Sequence, residues 1–436
     1  MQRHSDMHAL GLWEIEMLKV LVVGQTPPPY GGQAMMIERF VKSELAGVQL
    51  IHVRMGFSSH MNELGRVRLS KIVHLFAVIT RIIYHRFVDG VRILYYPPAG
   101  PDRVPMIRDI IVLLSTRWLF DKTVFHFHAG GVSELYDQLP RWQQWWFRRA
   151  YFGADVAIRI SELTPEDGRR LKAKCDYVIP YGIDDPCPKL VVTDAMPVVT
   201  SNDLLRILFV GILRESKGLM VLIEACGKLA ARGVPFQLDV MGQWHSDRFA
   251  ARVNQRIQEL KLSGHVRFLG VLTGDEKFSA FRRTDVFCFP TFFNCEAFPV
   301  VLLEAMACGL PVVSTHWRGI PSIVDEGKTG FLVVPHDSDA VADRLAVLAV
   351  KAELRECMGQ AGRAKFEREY TYPQHANRMR RLLLQLAGLN VDEQPDEIAP
   401  PSCHELPVQK AGNRKNVARR GIAAHPHECT HQGPAL

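Results

Sequence analysis

Short apolar runs alternate with longer segments of helical periodicity, and the alternation occurs twice along the chain. The first run, Met17-Leu18-Lys19-Val20-Leu21-Val22-Val23-Gly24, is apolar and closed by glycine, as expected for a parallel strand buried on both faces. Residues 91–96, halted by Pro97-Pro98, and residues 123–128 and 155–160 repeat it. Helical patterns lie between, including 34–45 and 139–151. The latter carries Trp142, Trp145 and Trp146, a stripe expected to pack in a core or an interface. The second half offers strands at 206–210, 237–241, 266–269, 286–289 and 311–314. Strands alternating with helices predict an α/β fold of two doubly wound parallel sheets.

Breaks in the pattern mark the organisation. Residues 185–204 are rich in Pro, Asp, Thr and Ser and read as a linker between a first lobe at 17–184 and a second at 205–370. Residues 1–16 read as a flexible extension, and 390–436, poor in large apolar side chains, as a disordered tail. With 436 residues, 47% hydrophobic and 23% charged, the chain has the composition of an ordinary globular protein. Its nine cysteines form no C-x-x-C pair, so free thiols in a reducing compartment are expected. Arg3, Asp6, Glu14 and Glu16 argue against a signal peptide, and no apolar run reaches the length of a membrane span. The expected location is cytoplasmic, at most peripheral on the inner face of a membrane.

The net charge of +7 is uneven: ten Lys or Arg stand against four acids between Arg54 and Arg117. Within residues 64–92, basic side chains (Arg66, Arg68, Lys71, Arg81, Arg86, Arg92) interleave with Ile72, Val73, Leu75, Phe76, Val78, Ile79, Ile82, Ile83 and Phe87. Two readings fit: a core helix with a solvated basic edge, or a helix that also lies on an anionic membrane surface. No nucleic-acid-reading motif accompanies the charge, and no nucleic-acid partner is expected.

Four segments carry candidate chemistry, and three turns frame them. In Glu296-Ala297-Phe298-Pro299-Val300-Val301-Leu302-Leu303-Glu304, two carboxylates bracket an apolar stretch, and Ala305-Met306-Ala307-Cys308-Gly309-Leu310-Pro311 follows. A helix beginning near Pro299 puts Glu296 on the preceding loop and Glu304 inside the helix, with free N–H groups nearby that favour anions. Pro27-Pro28-Pro29-Tyr30-Gly31-Gly32-Gln33 follows the opening strand, and tandem glycine lets backbone approach a phosphate; a plain turn is the competing reading. His126-Phe127-His128 closes the third strand, with both imidazoles on one side. Ligands of open sheets gather at such carboxyl ends. A metal is the rival occupant, but no third ligand has suitable spacing; a satisfied core histidine is the plainer reading, more so for His126. Gly211-Ile212-Leu213-Arg214-Glu215-Ser216-Lys217-Gly218 places two cations on a loop. Tyr181-Gly182-Ile183-Asp184, Thr315-His316-Trp317-Arg318-Gly319-Ile320-Pro321 and Gly327-Lys328-Thr329-Gly330-Phe331 form framing turns.

Together these runs resemble the glycosyl transferases group 1, the retaining glycosyltransferase family 4. The first matches its E-x7-E signature and the fourth its G-R-L-x-x-x-K-G, with Ile212 at the Arg position and Arg214 two residues later. Tyr181 stands where the N-G-I-D turn has Asn, and Arg318 where the T-x-x-G-G-x-P turn has its first Gly. The resemblance covers residues 17–385 and is strongest over 206–335. It implies a GT-B fold, two Rossmann-like lobes facing across a cleft, with a helix at 371–389 returning to the first lobe. It implies transfer of a sugar from a nucleotide-sugar donor to a glycan or lipid-linked acceptor, with retention of configuration and without a metal or other cofactor. The roles implied are Glu296, His128 and Lys217 in catalysis, and Gly31, Gly32, Arg214, Lys217, Glu296, Phe298, Pro299, Val300 and Glu304 around the donor. Glu304 would hold the ribose and Glu296 the sugar hydroxyls. A nucleotide-sugar epimerase of the same architecture, or a degenerate membrane-recruited binding protein, are the alternatives.

Overall fold

A computed structural model describes residues 17–28, 32–56, 69–188 and 204–389. Gly31, the proposed extension, the tail, residues 57–68 and most of the proposed linker lie outside them. The first sheet comprises β1 (Leu18–Gly24), β2 (Val48–Arg54), β3 (Ile93–Tyr96), β4 (Lys122–Phe127), β5 (Val156–Arg159) and β6 (Cys175–Val178). The second comprises β7 (Leu205–Val210), β8 (Phe236–Met241), β9 (Val266–Gly270), β10 (Val286–Phe289), β11 (Val312–Thr315) and β12 (Gly330–Val333). Their orders are β2-β1-β3-β4-β5-β6 and β12-β11-β10-β7-β8-β9, with every pairing parallel.

The second order has a single reversal, between β7 and β10. From β7 the chain winds outward through β8 and β9, then returns to build β10 to β12 on the other side. The loops leaving β7 and β10 therefore diverge and open a crevice, the place where doubly wound sheets bind ligands. In the first sheet the corresponding reversal lies between β1 and β3.

Two helices end the fold with different allegiances. Ala352–Glu369 packs on the second lobe, its Phe366 in that lobe's core. Tyr372–Leu386 packs on the first, burying Met379, Leu382, Leu383 and Leu384 against Val20, Val22, Ile37 and Tyr95. At about 2 kcal/mol for each such side chain, this burial holds the helix firmly. The two chain crossings between lobes are zipped together: Ile183 donates to the Tyr370 carbonyl at 2.9 Å, and Tyr372 to the Ile183 carbonyl at 2.8 Å. Gly182 permits the approach, because a Cβ there would lie 2.4 Å from the Thr371 carbonyl oxygen.

Several boundaries differ from the sequence reading. The first helix is Gly32–Val41, shorter at its end than expected, because the chain turns at Leu45 into β2. The tryptophan helix starts at Arg141, since Pro140 is extended and a residue preceding proline avoids the helical region. Its core face consists of Phe147, Ala150 and Tyr151, whereas Trp142, Trp145 and Trp146 are 66%, 49% and 45% exposed. Core packing of that stripe is thus overturned. β2, β6 and β12 had no counterpart in the sequence reading.

Candidate functional site

Lys217 and Glu296 approach from opposite sides of the β7/β10 crevice. Lys217 ends a short turn after β7, and Gly218 follows with φ of +84°. A Cβ at Gly218 would lie 2.0 Å from the Pro290 carbonyl oxygen, so only glycine lets this loop touch the loop after β10. Across that contact the Lys217 ammonium pairs with Glu296 Oε2, both side chains largely buried. Thr291 Oγ1 lies 3.2 Å from the same oxygen, and Thr315 Oγ1 donates to the Thr291 carbonyl at 2.5 Å. The carboxylate is therefore held by side chains from the loops after β7 and β10, with Thr315 at the end of β11 bracing the second loop.

Arg214 joins the same group. Its guanidinium carbon lies 4.6 Å from the centre of the Phe293 ring, and Lys217 Nζ lies 4.7 Å from that centre. Trp317 Nε1 donates to the Phe293 carbonyl at 2.9 Å and fixes its loop. One aromatic ring thus holds both cations beside each other, an arrangement the two-residue offset of Arg214 from the family wording left open.

Pro299 caps the helix Val300–Ala307, with Glu304 as its fifth residue. Glu304 is separate from Glu296 in its partner: Lys277, from the helix Gly274–Arg282, donates to Oε1 at 2.6 Å. Burial pushes the Glu304 carboxyl above the usual carboxylate range, and the Lys277 ammonium draws it back. Oε2 of Glu304 is buried without a partner among the described residues. Lys277 escaped the sequence reading because no motif links its helix to the carboxylate it meets. Phe298 turns its side chain inward, edge-on to Tyr181 and Tyr370 with ring centres 5.8 Å apart in each pair.

From the first lobe come the histidines. The His126 and His128 rings are stacked with centres 4.1 Å apart, as period-two alternation requires. His126 Nδ1 meets the Tyr95 hydroxyl at 2.5 Å, and His128 Nδ1 the Tyr181 hydroxyl at 2.6 Å. Burial holds both imidazoles neutral, lowering His128 to about 3. Nε2 of each is buried and has no partner among the described residues. Among the described residues, no group of three or more His, Cys, Asp or Glu is placed to hold a metal ion. Gly32 opens its helix beside this end of the sheet, while Gly31 lies outside the described residues.

A cavity of about 300 Å³ lies where the lobes meet, lined by Gly130, Gly131, Glu134, Gln138, Asn294 and Arg318 among others. Arg318 holds φ of +47°, the left-handed region where its family counterpart is glycine. Cys295 borders this cavity; burial pushes its thiol up, which suits packing and not a thiolate nucleophile.

Comparison with known proteins decides the family. The model of the glycosyl transferases group 1 matches residues 196–365. The chain is 34% identical over 281 residues to the amylovoran biosynthesis glycosyltransferase AmsK of Erwinia amylovora, covering 58% of this chain and 67% of AmsK. The chain belongs to the glycosyl transferases group 1. It is also 33% identical over 273 residues to the putative colanic acid biosynthesis glycosyltransferase WcaL of Salmonella typhimurium. That match covers 60% of this chain and 61% of WcaL, so it spans about three fifths of the relative. The Anabaena protein Alr3699/HepE, solved in complex with UDP, superposes with a TM-score of 0.63 over 85% of this chain and 100% of its own. At 16% identity that likeness establishes the GT-B fold alone. The E-x7-E run supplies both carboxylates, and each pairs with a lysine from a different element.

Proposed function

We propose that this member of the family transfers a hexosyl group from a nucleotide-sugar to a saccharide acceptor, a lipid-linked glycan or polysaccharide precursor, with retention of configuration. The observation that carries this is the convergence of Lys217, Arg214 and Glu296 on the β7/β10 crevice. Breaking a sugar–phosphate bond builds negative charge on the departing diphosphate, and preorganised cations stabilise that charge more than they stabilise the ground state. Lys217 and Arg214 supply them. Their charge covers the leaving group, so the reading calls for no metal.

Without ligand the Lys217 charge is balanced by Glu296. Donor binding separates the two: the ammonium turns to the diphosphate, and the carboxylate accepts hydrogen bonds from sugar hydroxyls. Glu304 offers its unpaired Oε2 to a ribose hydroxyl, and the first turn of its helix, behind the N-cap Pro299, presents the N–H groups of Val300 and Val301 to phosphate oxygens. The relatives WcaL and AmsK, named for exopolysaccharide synthesis, and HepE, solved with UDP, support donor and acceptor classes of this kind.

Titration with UDP, GDP and ADP tests the donor half. One nucleotide is expected to raise the thermal midpoint, by the equivalent of about 3 kcal/mol at a hundredfold excess over Kd. Glu304→Gln, which keeps shape but loses charge, is expected to lose most of that gain. No shift with any nucleotide selects the non-catalytic binding protein. Conversion of a nucleotide-sugar to its epimer without acceptor selects the epimerase.

The first lobe offers a surface for a membrane-held acceptor. The helix Leu69–Phe87 buries Val78 and Ile82 yet presents Val73, Phe76 and Phe87, each about two thirds exposed. It packs beside Arg103–Thr116, which packs in turn beside the tryptophan helix Arg141–Tyr151. Exposed apolar side chains among arginines suit an anionic lipid surface, and no helix among the described residues is long and apolar enough to cross one. The protein is expected to sediment with vesicles of equal parts phosphatidylglycerol and phosphatidylcholine. It should stay in solution with phosphatidylcholine alone, and Phe76→Ser with Trp145→Ser should weaken the binding severalfold.

A further inference from the structure

We propose that Tyr181 is a positioning residue: it locks His128 in the tautomer protonated at Nε2 and makes it a neutral hydrogen-bond donor to the bound sugar. The word sugar rests on the transferase reading; the lock itself does not.

Tyr181 occupies the place of the family's Asn at the crossing between lobes, and both it and His128 are buried. Its hydroxyl lies 2.6 Å from His128 Nδ1, and its ring is stacked on the imidazole, centres 5.6 Å apart at 25°. Among the described residues the phenol has no other hydrogen-bond partner. A buried O–H takes an available acceptor, so Tyr181 donates and Nδ1 carries the lone pair. A neutral imidazole has one proton, which must then sit on Nε2. His126, stacked on the same imidazole with ring centres 4.1 Å apart and held by Tyr95, fixes the ring plane. Flipping the imidazole would exchange Nδ1 for a carbon and break the bond to Tyr181.

The consequence is chemical. Among the described residues Nε2–H is a buried donor with no partner, and it awaits a ligand oxygen. The ring has no free lone pair, so His128 cannot remove a proton from the acceptor. It can polarise or orient an oxygen. Tyr181 also meets Phe298 edge-on, two residues beyond Glu296, and so ties the histidine to the loop that holds the sugar.

Imidazole nitrogen NMR on the full-length chain labelled with nitrogen-15 histidine reads the tautomer directly, with His128→Asn assigning the signal. The expected result is a protonated Nε2 and a bare Nδ1 in the wild-type chain, and a mixture of tautomers in Tyr181→Phe. In steady-state kinetics with the nucleotide-sugar whose nucleotide stabilises the chain, Tyr181→Phe should lower kcat by on the order of tenfold. Its nucleotide affinity should stay near wild type. A proton on Nδ1 in the wild-type chain, or a wild-type kcat in Tyr181→Phe, overturns the proposal. If the wild-type chain turns over no nucleotide-sugar at all, the transferase reading falls, and the NMR spectra still decide the lock.

Discussion

Lys217→Ala is expected to lower turnover by about two to three orders of magnitude, the loss typical of removing one group that meets charge as it develops. The effect should fall on kcat more than on KM, because the diphosphate gains its extra charge only in the transition state. The same substitution carries a structural cost, since Glu296 would remain buried without its counter-ion. Removing one partner of a buried pair costs about 3 kcal/mol or more. These two effects separate in the double variant Lys217→Ala with Glu296→Ala: denaturant unfolding should regain much of the lost stability, while turnover does not recover. A single variant with near-normal kcat in the presence of saturating donor would remove Lys217 from the leaving-group site.

The contrast between what the chain's pattern revealed and what it concealed has a physical origin. β1, β4, β7 and β10 lie inside their sheets, covered on both faces, and their apolar runs are continuous. The strands that escaped notice, β2, β6 and β12, are all edge strands. Each is only partly buried or very short: β2 carries Gln49 and His52, β6 is half-exposed throughout, and β12 has four residues. An edge strand needs fewer apolar side chains, so the signal weakens where the sheet ends.

The site divides in the same way. Glu296, Glu304 and Lys217 were legible because they sit in local wording around a strand end or helix start. Their partners were not. Lys277 lies 27 residues from Glu304, and Tyr181 lies 53 residues from His128. Such pairs exist only once the sheet order is fixed. Arg214 is an intermediate case: it stands beside Lys217 through Phe293, a side chain on another loop that no spacing rule includes. The exposed tryptophans show the opposite failure: a helical stripe identifies a face, but neighbouring Phe147 and Tyr151 took the core side.

Stability should fall steeply as pH drops from 6.5 towards 4. His126, His128 and His375 are buried where the lobes cross, and burial lowers all three, His128 to about 3 and His375 to about 4. In the unfolded chain each would titrate near the ordinary histidine value, about 6.5. The sign follows directly. Above that value neither state binds a proton, and the groups contribute no pH dependence. Below it the unfolded state takes up protons that the folded state refuses, so unfolding becomes easier. Each histidine contributes a slope of about 1.4 kcal/mol per pH unit, or about 2 kcal/mol lost by pH 5. Three together would remove several kcal/mol, a large part of the stability of an ordinary domain. Denaturant unfolding at intervals between pH 7 and 5 measures the slope, and His375→Asn should reduce it by about one proton. A flat profile would mean that these imidazoles gain protons in the folded state as readily as in the unfolded one, which their burial at the crossing does not allow.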